Sequence, residues 1–154
     1  MRCPQNNAEG PTTGRMPARG AAALRVLYVE DNRINAILFE QAMRLRGGVE
    51  LRIAEDGAEA LSIVPGWLPQ VLVLDAHLPD MTGCDLLERL RGLPRMAGVP
   101  AYMCSADALD ADLQRARAAG FAGYWTKPID VERVLADLHP LLAQPAAAAR
   151  PSQA

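Results

Sequence analysis

The sequence predicts an α/β domain built on a five-stranded parallel sheet with helices on both faces. Three observations lead there. Short apolar runs alternate five times with segments of helical period. The run at 71–74 (VLVL) is apolar at every position, as in a strand buried on both faces. And a strand followed each time by a helix implies right-handed crossovers between parallel strands.

The first strand is expected at 25–29 (RVLYV) and the first helix at 34–46. Ile34, Ile37, Leu38, Ala42 and Leu45 share one helical face, the apolar stripe expected to meet the core. Gly47 and Gly48 end that helix. Residues 50–54 (ELRIA) read as the second strand. Residues 57–64 read as a short helix stopped by Pro65 and Gly66. The third strand, 71–74, is followed by a helix at 82–91 with Thr82 or Asp80 as its cap. The fourth strand is expected at 100–104 (PAYMC), where the proline must sit at the start. An Ala-rich helix at 107–119 ends at Gly120. The fifth strand is 123–126 (GYWT). The last helix, 130–142, has Val131, Val134, Leu135, Leu138, Leu141 and Leu142 in register.

The 154 residues suit one domain with short tails. Residues 1–22, rich in Pro, Gly, Asn and Thr, read as a disordered tail or linker. The expected domain spans 23–143, and 144–154 form a second disordered tail. A net charge of only −2 argues against a nucleic-acid binder held by a broad basic surface. No apolar run approaches the roughly 20 residues that span a bilayer. The N-terminus lacks the apolar core of a signal peptide. Cys3, Cys84 and Cys104 are odd in number and far apart, so neither a disulfide framework nor a zinc site is expected. The compartment these features predict is the cytoplasm.

In open parallel sheets, ligands bind beyond the carboxyl ends of the strands. Glu30 and Asp31 follow the first strand and Asp75 follows the third. Ser105 and Ala106 follow the fourth, and Lys127 and Pro128 follow the fifth. Three carboxylates brought to one sheet edge repel unless a cation joins them. Mg²⁺ suits such a set, since it takes oxygen ligands and needs only one or two carboxylates; Mn²⁺ is the alternative. Asp75 can act as a nucleophile and form an aspartyl phosphate. Lys127 is the only lysine among 16 basic residues, a compact point charge where Arg serves everywhere else. Ser105 can donate to a phosphoryl oxygen, and Ala106 leaves access open. Pro128 fixes the turn that aims Lys127. Each of these has a plain structural reading taken alone, as a helix cap, a turn residue or a solvated charge. Their coincidence at corresponding strand ends favours chemistry.

The segments VLYVEDN (26–32), EDGAEAL (55–61), VLVLDAHLPDMTG (71–83), CSA (104–106) and YWTKP (124–128) together resemble the receiver domain of bacterial response regulators. The VEDN segment with Asn35 is similar to receivers attached to hybrid sensor kinases. The resemblance covers 24–142. It implies a flavodoxin-like (βα)5 fold with strand order 2-1-3-4-5. It also implies Asp75 as phosphoacceptor, and Asp31, Glu30 and the backbone carbonyl of His77 as metal ligands. Ser105 and Lys127 would bind the phosphoryl group, and Ser105 and Tyr124 would act as the switch. The expected function is a phosphoacceptor signalling switch, not a conventional turnover enzyme, that catalyses its own Asp phosphorylation and dephosphorylation. It would be charged by a histidine kinase or a histidine phosphotransfer protein. Its downstream protein partner would dock on the fourth helix, fifth strand and fifth helix. No DNA-binding sequence follows Leu142, so a protein–protein output is expected. The rival is a receiver-like docking module that works without phosphorylation. A phosphohydrolase of similar sheet would carry a second Asp two residues past the nucleophile, where His77 stands.

Overall fold

The computed structural model describes residues 23–106 and 109–142. Both predicted tails lie outside these residues. The elements run β1 (Leu24–Val29), α1 (Arg33–Arg46), β2 (Val49–Ala54), α2 (Gly57–Ile63), β3 (Val71–Asp75), α3 (Gly83–Arg91), β4 (Ala101–Ser105), α4 (Asp110–Ala118), β5 (Gly123–Thr126) and α5 (Val131–Leu142). The five strands pair in parallel in the order β2-β1-β3-β4-β5.

Each strand of the sheet points alternate side chains to opposite faces, and so builds two cores. Leu27, Val29, Leu72, Leu74 and Met103 meet α2, α3 and α4 through Ala60, Leu86, Leu87, Leu90 and Ala116. Val26, Tyr28, Val71, Val73 and Trp125 meet α1 and α5 through Phe39, Met43, Val134 and Leu138. β3 is buried along its whole length, as its unbroken apolar run requires.

Several boundaries shift. α2 ends at Ile63, and Val64–Gly66 tighten into a 3-10 turn that accepts Pro65 near its start. Pro100 stands just ahead of β4, and Ser105 is the last residue of that strand. α4 begins at Asp110; the predicted start at Asp107 lies outside the described residues. Thr82 caps α3, its Oγ1 accepting from the Asp85 N–H at 3.0 Å. Asp80 caps a different helix. Its two carboxylate oxygens accept from the N–H groups of Gly57 and Ala58, each at 2.9 Å, at the start of α2.

The face of α1 is the larger correction. Most of the stripe expected to meet the core points outward: Ile34, Ile37, Leu38 and Leu45 are exposed, and of its five residues Ala42 alone packs against the core. Ala36, Phe39 and Met43 are the residues α1 buries. The helix carries two apolar stripes, and the one with the bulkier aromatic and thioether groups fills the space over Tyr28.

Candidate functional site

Parallel pairing brings the carboxyl ends of β1, β3, β4 and β5 to one edge of the sheet. Asp75 closes β3 and pairs in register with Cys104, and Ser105 pairs with Thr126. The Lys127 N–H donates to the Ser105 carbonyl at 2.8 Å. Lys127 therefore leaves β5 directly across from the end of β4. Its peptide bond to Pro128 is cis.

Lys127 Nζ lies 2.8 Å from Asp75 Oδ2 and 2.8 Å from Glu30 Oε1. It bridges two buried carboxylates. Asp75 Oδ1 accepts from the His77 N–H at 3.2 Å. Glu30 is 1% exposed, and both its oxygens are engaged. Oε1 also accepts from the Tyr28 hydroxyl at 2.9 Å, and Oε2 from the Asn32 N–H at 3.1 Å. Asp31 is exposed beside them.

Ligand oxygens of Glu30, Asp31 and Asp75 lie within 4.8 Å of one another. Three carboxylates face a single ammonium group, so charge at this edge is only partly balanced. An all-oxygen donor set with Asp31 open to solvent fits a hard divalent cation.

Burial pushes the Asp75 carboxyl up; the Lys127 hydrogen bond opposes this, the Glu30 charge adds to it, and the net is a raised pKa. For Glu30, burial also pushes up. There the hydrogen bonds from Lys127, the Asn32 N–H and Tyr28 outweigh it, and the net is lowered. Burial pulls Lys127 down, but its bonds to Asp75 and Glu30 more than restore it, and its pKa is raised. The ammonium is therefore held charged between the two carboxylates.

Ser105 is buried at the end of β4, and Ala106 beyond it is exposed. Ser105, His77, Cys84, Arg115 and Tyr124 line a cavity of about 150 Å³ next to Asp75. His77 itself is exposed and forms a bridge with Thr82 across its loop. The structure thus gathers Glu30, Asp31, Asp75 and Lys127 into one cluster. Ser105 and Tyr124 share the adjoining cavity.

Two groups that hold Glu30 escaped the sequence reading. Tyr28 holds Glu30, and the only signal was its place two residues earlier on the same strand face. Asn32 does double duty, since its side chain accepts from the Asn35 N–H to cap α1 while its own N–H holds Glu30.

Residues 26–139 match the family model for the response regulator receiver domain. The chain is 35% identical over 109 residues to an uncharacterised 14.6 kDa protein of Leptolyngbya boryana, covering 71% of this chain and 82% of that one. It is 30% identical over 110 residues to the polar-differentiation response regulator DivK of Brucella anthropi, covering 71% of this chain and 89% of DivK. Among solved structures, the chemotaxis response regulator CheY4 of Vibrio cholerae superposes with a TM-score of 0.72. It is 25% identical and covers 78% of this chain and 99% of its own.

Proposed function

The chain belongs to the response regulator receiver family, and on that premise we propose that it is a phosphoacceptor switch in which Asp75 carries the phosphoryl group. The observation that supports this most is the Lys127–Asp75 pair at 2.8 Å, at the buried end of β3 and beside two further carboxylates. A carboxylate is a usable nucleophile only while ionised, and the Lys127 ammonium favours that form against the burial that opposes it.

The donor is a phosphohistidine on a histidine kinase or a histidine phosphotransfer protein. An Asp75 oxygen attacks phosphorus, the N–P bond breaks, and the electron pair returns to the imidazole, which is released and takes up a proton. Lys127 and the Ser105 hydroxyl donate to the phosphoryl oxygens, and Ala106 leaves them room. Asp31, Asp75, Glu30 and the His77 carbonyl would hold Mg²⁺ or Mn²⁺, which supplies charge neutralisation for the transferring group. Water later hydrolyses the acyl phosphate. The chain thus promotes its own modification and its reversal.

The exposed stripe on α1 supports a protein donor. Ile37 lines one cavity with Asp31 and Glu30, so an apolar surface adjoins the acidic mouth. A donor must bring its histidine to that mouth, and the stripe is the contact it would make on arrival. Ser105 and Tyr124 carry the change outward to α4, β5 and α5. There a groove of about 400 Å³ lined by Tyr102, Arg117, Phe121, Tyr124, Arg133 and Asp137 would take the downstream protein. Pro128 keeps Lys127 aimed. A cytoplasmic location accords with such a partner, and among the described residues no helix is long and apolar enough to cross a membrane.

The test is incubation with acetyl phosphate and Mg²⁺, followed by intact mass. The expected result is a phosphoryl adduct absent from Asp75→Asn and absent with EDTA. A folded protein that gains no adduct would instead be a docking module that works without phosphorylation.

A further inference from the structure

Tyr28 is fully buried in β1. Its ring packs on Phe39 of α1, with centroids 4.4 Å apart. For packing alone a phenylalanine or an aliphatic side chain would serve. The hydroxyl adds a polar group that is costly to bury unless bonded. Its bond goes to Glu30 Oε1 at 2.9 Å, the same oxygen that accepts from Lys127 at 2.8 Å.

We infer that Tyr28 is a positioning residue for phosphoryl transfer: its hydroxyl fixes the Glu30 carboxylate so that Glu30 anchors Lys127 beside Asp75. This rests on the phosphoacceptor reading of Asp75.

Glu30 sits at the centre of three donors. Tyr28 and Lys127 occupy Oε1, and the Asn32 N–H occupies Oε2. Tyr28 comes from inside β1, where the strand fixes its backbone and full burial holds its ring. Asn32 comes from the loop and Lys127 from a flexible stem. The tyrosine is therefore the most rigid of the three, and it determines which way the carboxylate faces. So held, Glu30 commits one oxygen to Lys127, while Asp31 stays open to solvent beside Asp75. Without the hydroxyl, the carboxylate can turn toward the other two acids. It then offers more to a cation and less to Lys127. An ammonium displaced from the reacting oxygen slows transfer steeply, since about 1 Å of misplacement can cost on the order of 100-fold.

Tyr28→Phe removes only the hydroxyl. Phe39→Leu disturbs the packing of the ring and leaves the hydroxyl in place. For wild type and both variants, Mg²⁺ affinity is measured by calorimetry, and the rate of phosphorylation by acetyl phosphate is measured at saturating Mg²⁺. Tyr28→Phe is expected to bind Mg²⁺ about 3-fold more tightly and to react about 10-fold more slowly. Phe39→Leu is expected to melt at a lower temperature with both constants within about twofold of wild type. Absence of either change in Tyr28→Phe, or the same changes in Phe39→Leu, overturns the assignment while an active wild type leaves the phosphoacceptor reading standing. A wild type that binds Mg²⁺ but accepts no phosphoryl group overturns both.

Discussion

Lys127 reconciles two carboxylates that burial alone would drive to protonate, and the reconciliation is unequal. Glu30 is lowered from its ordinary 4.5, while Asp75 is raised from its ordinary 3.8. By linkage, Glu30 contributes stability above its unfolded value, and that stability is lost as pH falls through its lower folded value. Lys127, raised from 10.5, contributes stability that is lost as pH rises through its folded value. Asp75 has the opposite sign to Glu30. Its folded form holds a proton more tightly than the unfolded chain does, so ionising it at neutral pH costs stability. Asp75→Asn should therefore raise the melting temperature of the metal-free protein at pH 7 by about 3 °C. The gain should shrink as pH falls through the folded value of Asp75 toward 3.8, where wild type also carries a neutral side chain. Thermal melts from pH 7 to pH 4 check this, and a variant less stable at pH 7 would contradict it. Asp75 and Lys127 were legible in the sequence because strand ends in a parallel sheet converge, and the apolar runs mark those ends. Tyr28 was not. Alternation shows that it faces the core, but not that its hydroxyl meets a carboxylate there.

Helix α1 shows what periodicity can and cannot say at the level of an element. Its residues form a helix with an apolar stripe, as the sequence indicated, yet the helix is rotated so that most of the stripe faces water. Leu38 is 61% exposed, while Phe39 beside it is 3% exposed. Two apolar stripes on one helix leave the choice to side-chain shape against the sheet, which a pattern of apolar and polar letters does not contain. Substitution separates the two roles. Leu38→Asp should change stability by no more than about 0.5 kcal/mol. It should slow phosphorylation by a histidine phosphodonor at least about 10-fold, roughly the effect of losing a well-packed contact in a small interface, and leave reaction with acetyl phosphate unchanged. Phe39→Ala should cost about 3–5 kcal/mol by opening a cavity under the helix. Equal loss with both donors in Leu38→Asp would mean that the stripe serves the site and not the partner. The start of α3 gives a second case. A Cβ on Gly83 would lie 2.5 Å from the backbone oxygen of Asp75. The helix comes this close to Asp75 because nothing projects there. Gly83→Ala should cost about 1–3 kcal/mol in denaturant unfolding, because the backbone must shift. Unchanged stability would show that α3 can retreat freely.

At the scale of the molecule, the acidic cluster sits where β1 and β3 end side by side, and Lys127 reaches it from beyond β5, so whatever binds the cluster ties these elements together. The strand order 2-1-3-4-5 came from the motif resemblance; alternation of strands and helices fixes parallel pairing but permits several orders. Given that order, the first and third strands are neighbours, which is why Glu30 and Asp31 reach Asp75 across a single ladder. A cation bound there relieves repulsion present only in the folded chain, because unfolding separates residues 31 and 75 along the sequence. Mg²⁺ should then stabilise the whole domain by mass action, by about 2.7 kcal/mol when the free ion is at 100 times its dissociation constant. The shift should appear in calorimetric melts as a midpoint that rises with the logarithm of Mg²⁺ concentration, against controls matched in ionic strength with NaCl. Asp31→Asn removes the exposed carboxylate and leaves the Lys127 bridge untouched, so this variant should fold normally and lose most of the rise. A midpoint equally insensitive to Mg²⁺ in wild type and variant would mean that Lys127 alone balances the cluster, and the case for a metal at this sheet edge would fall.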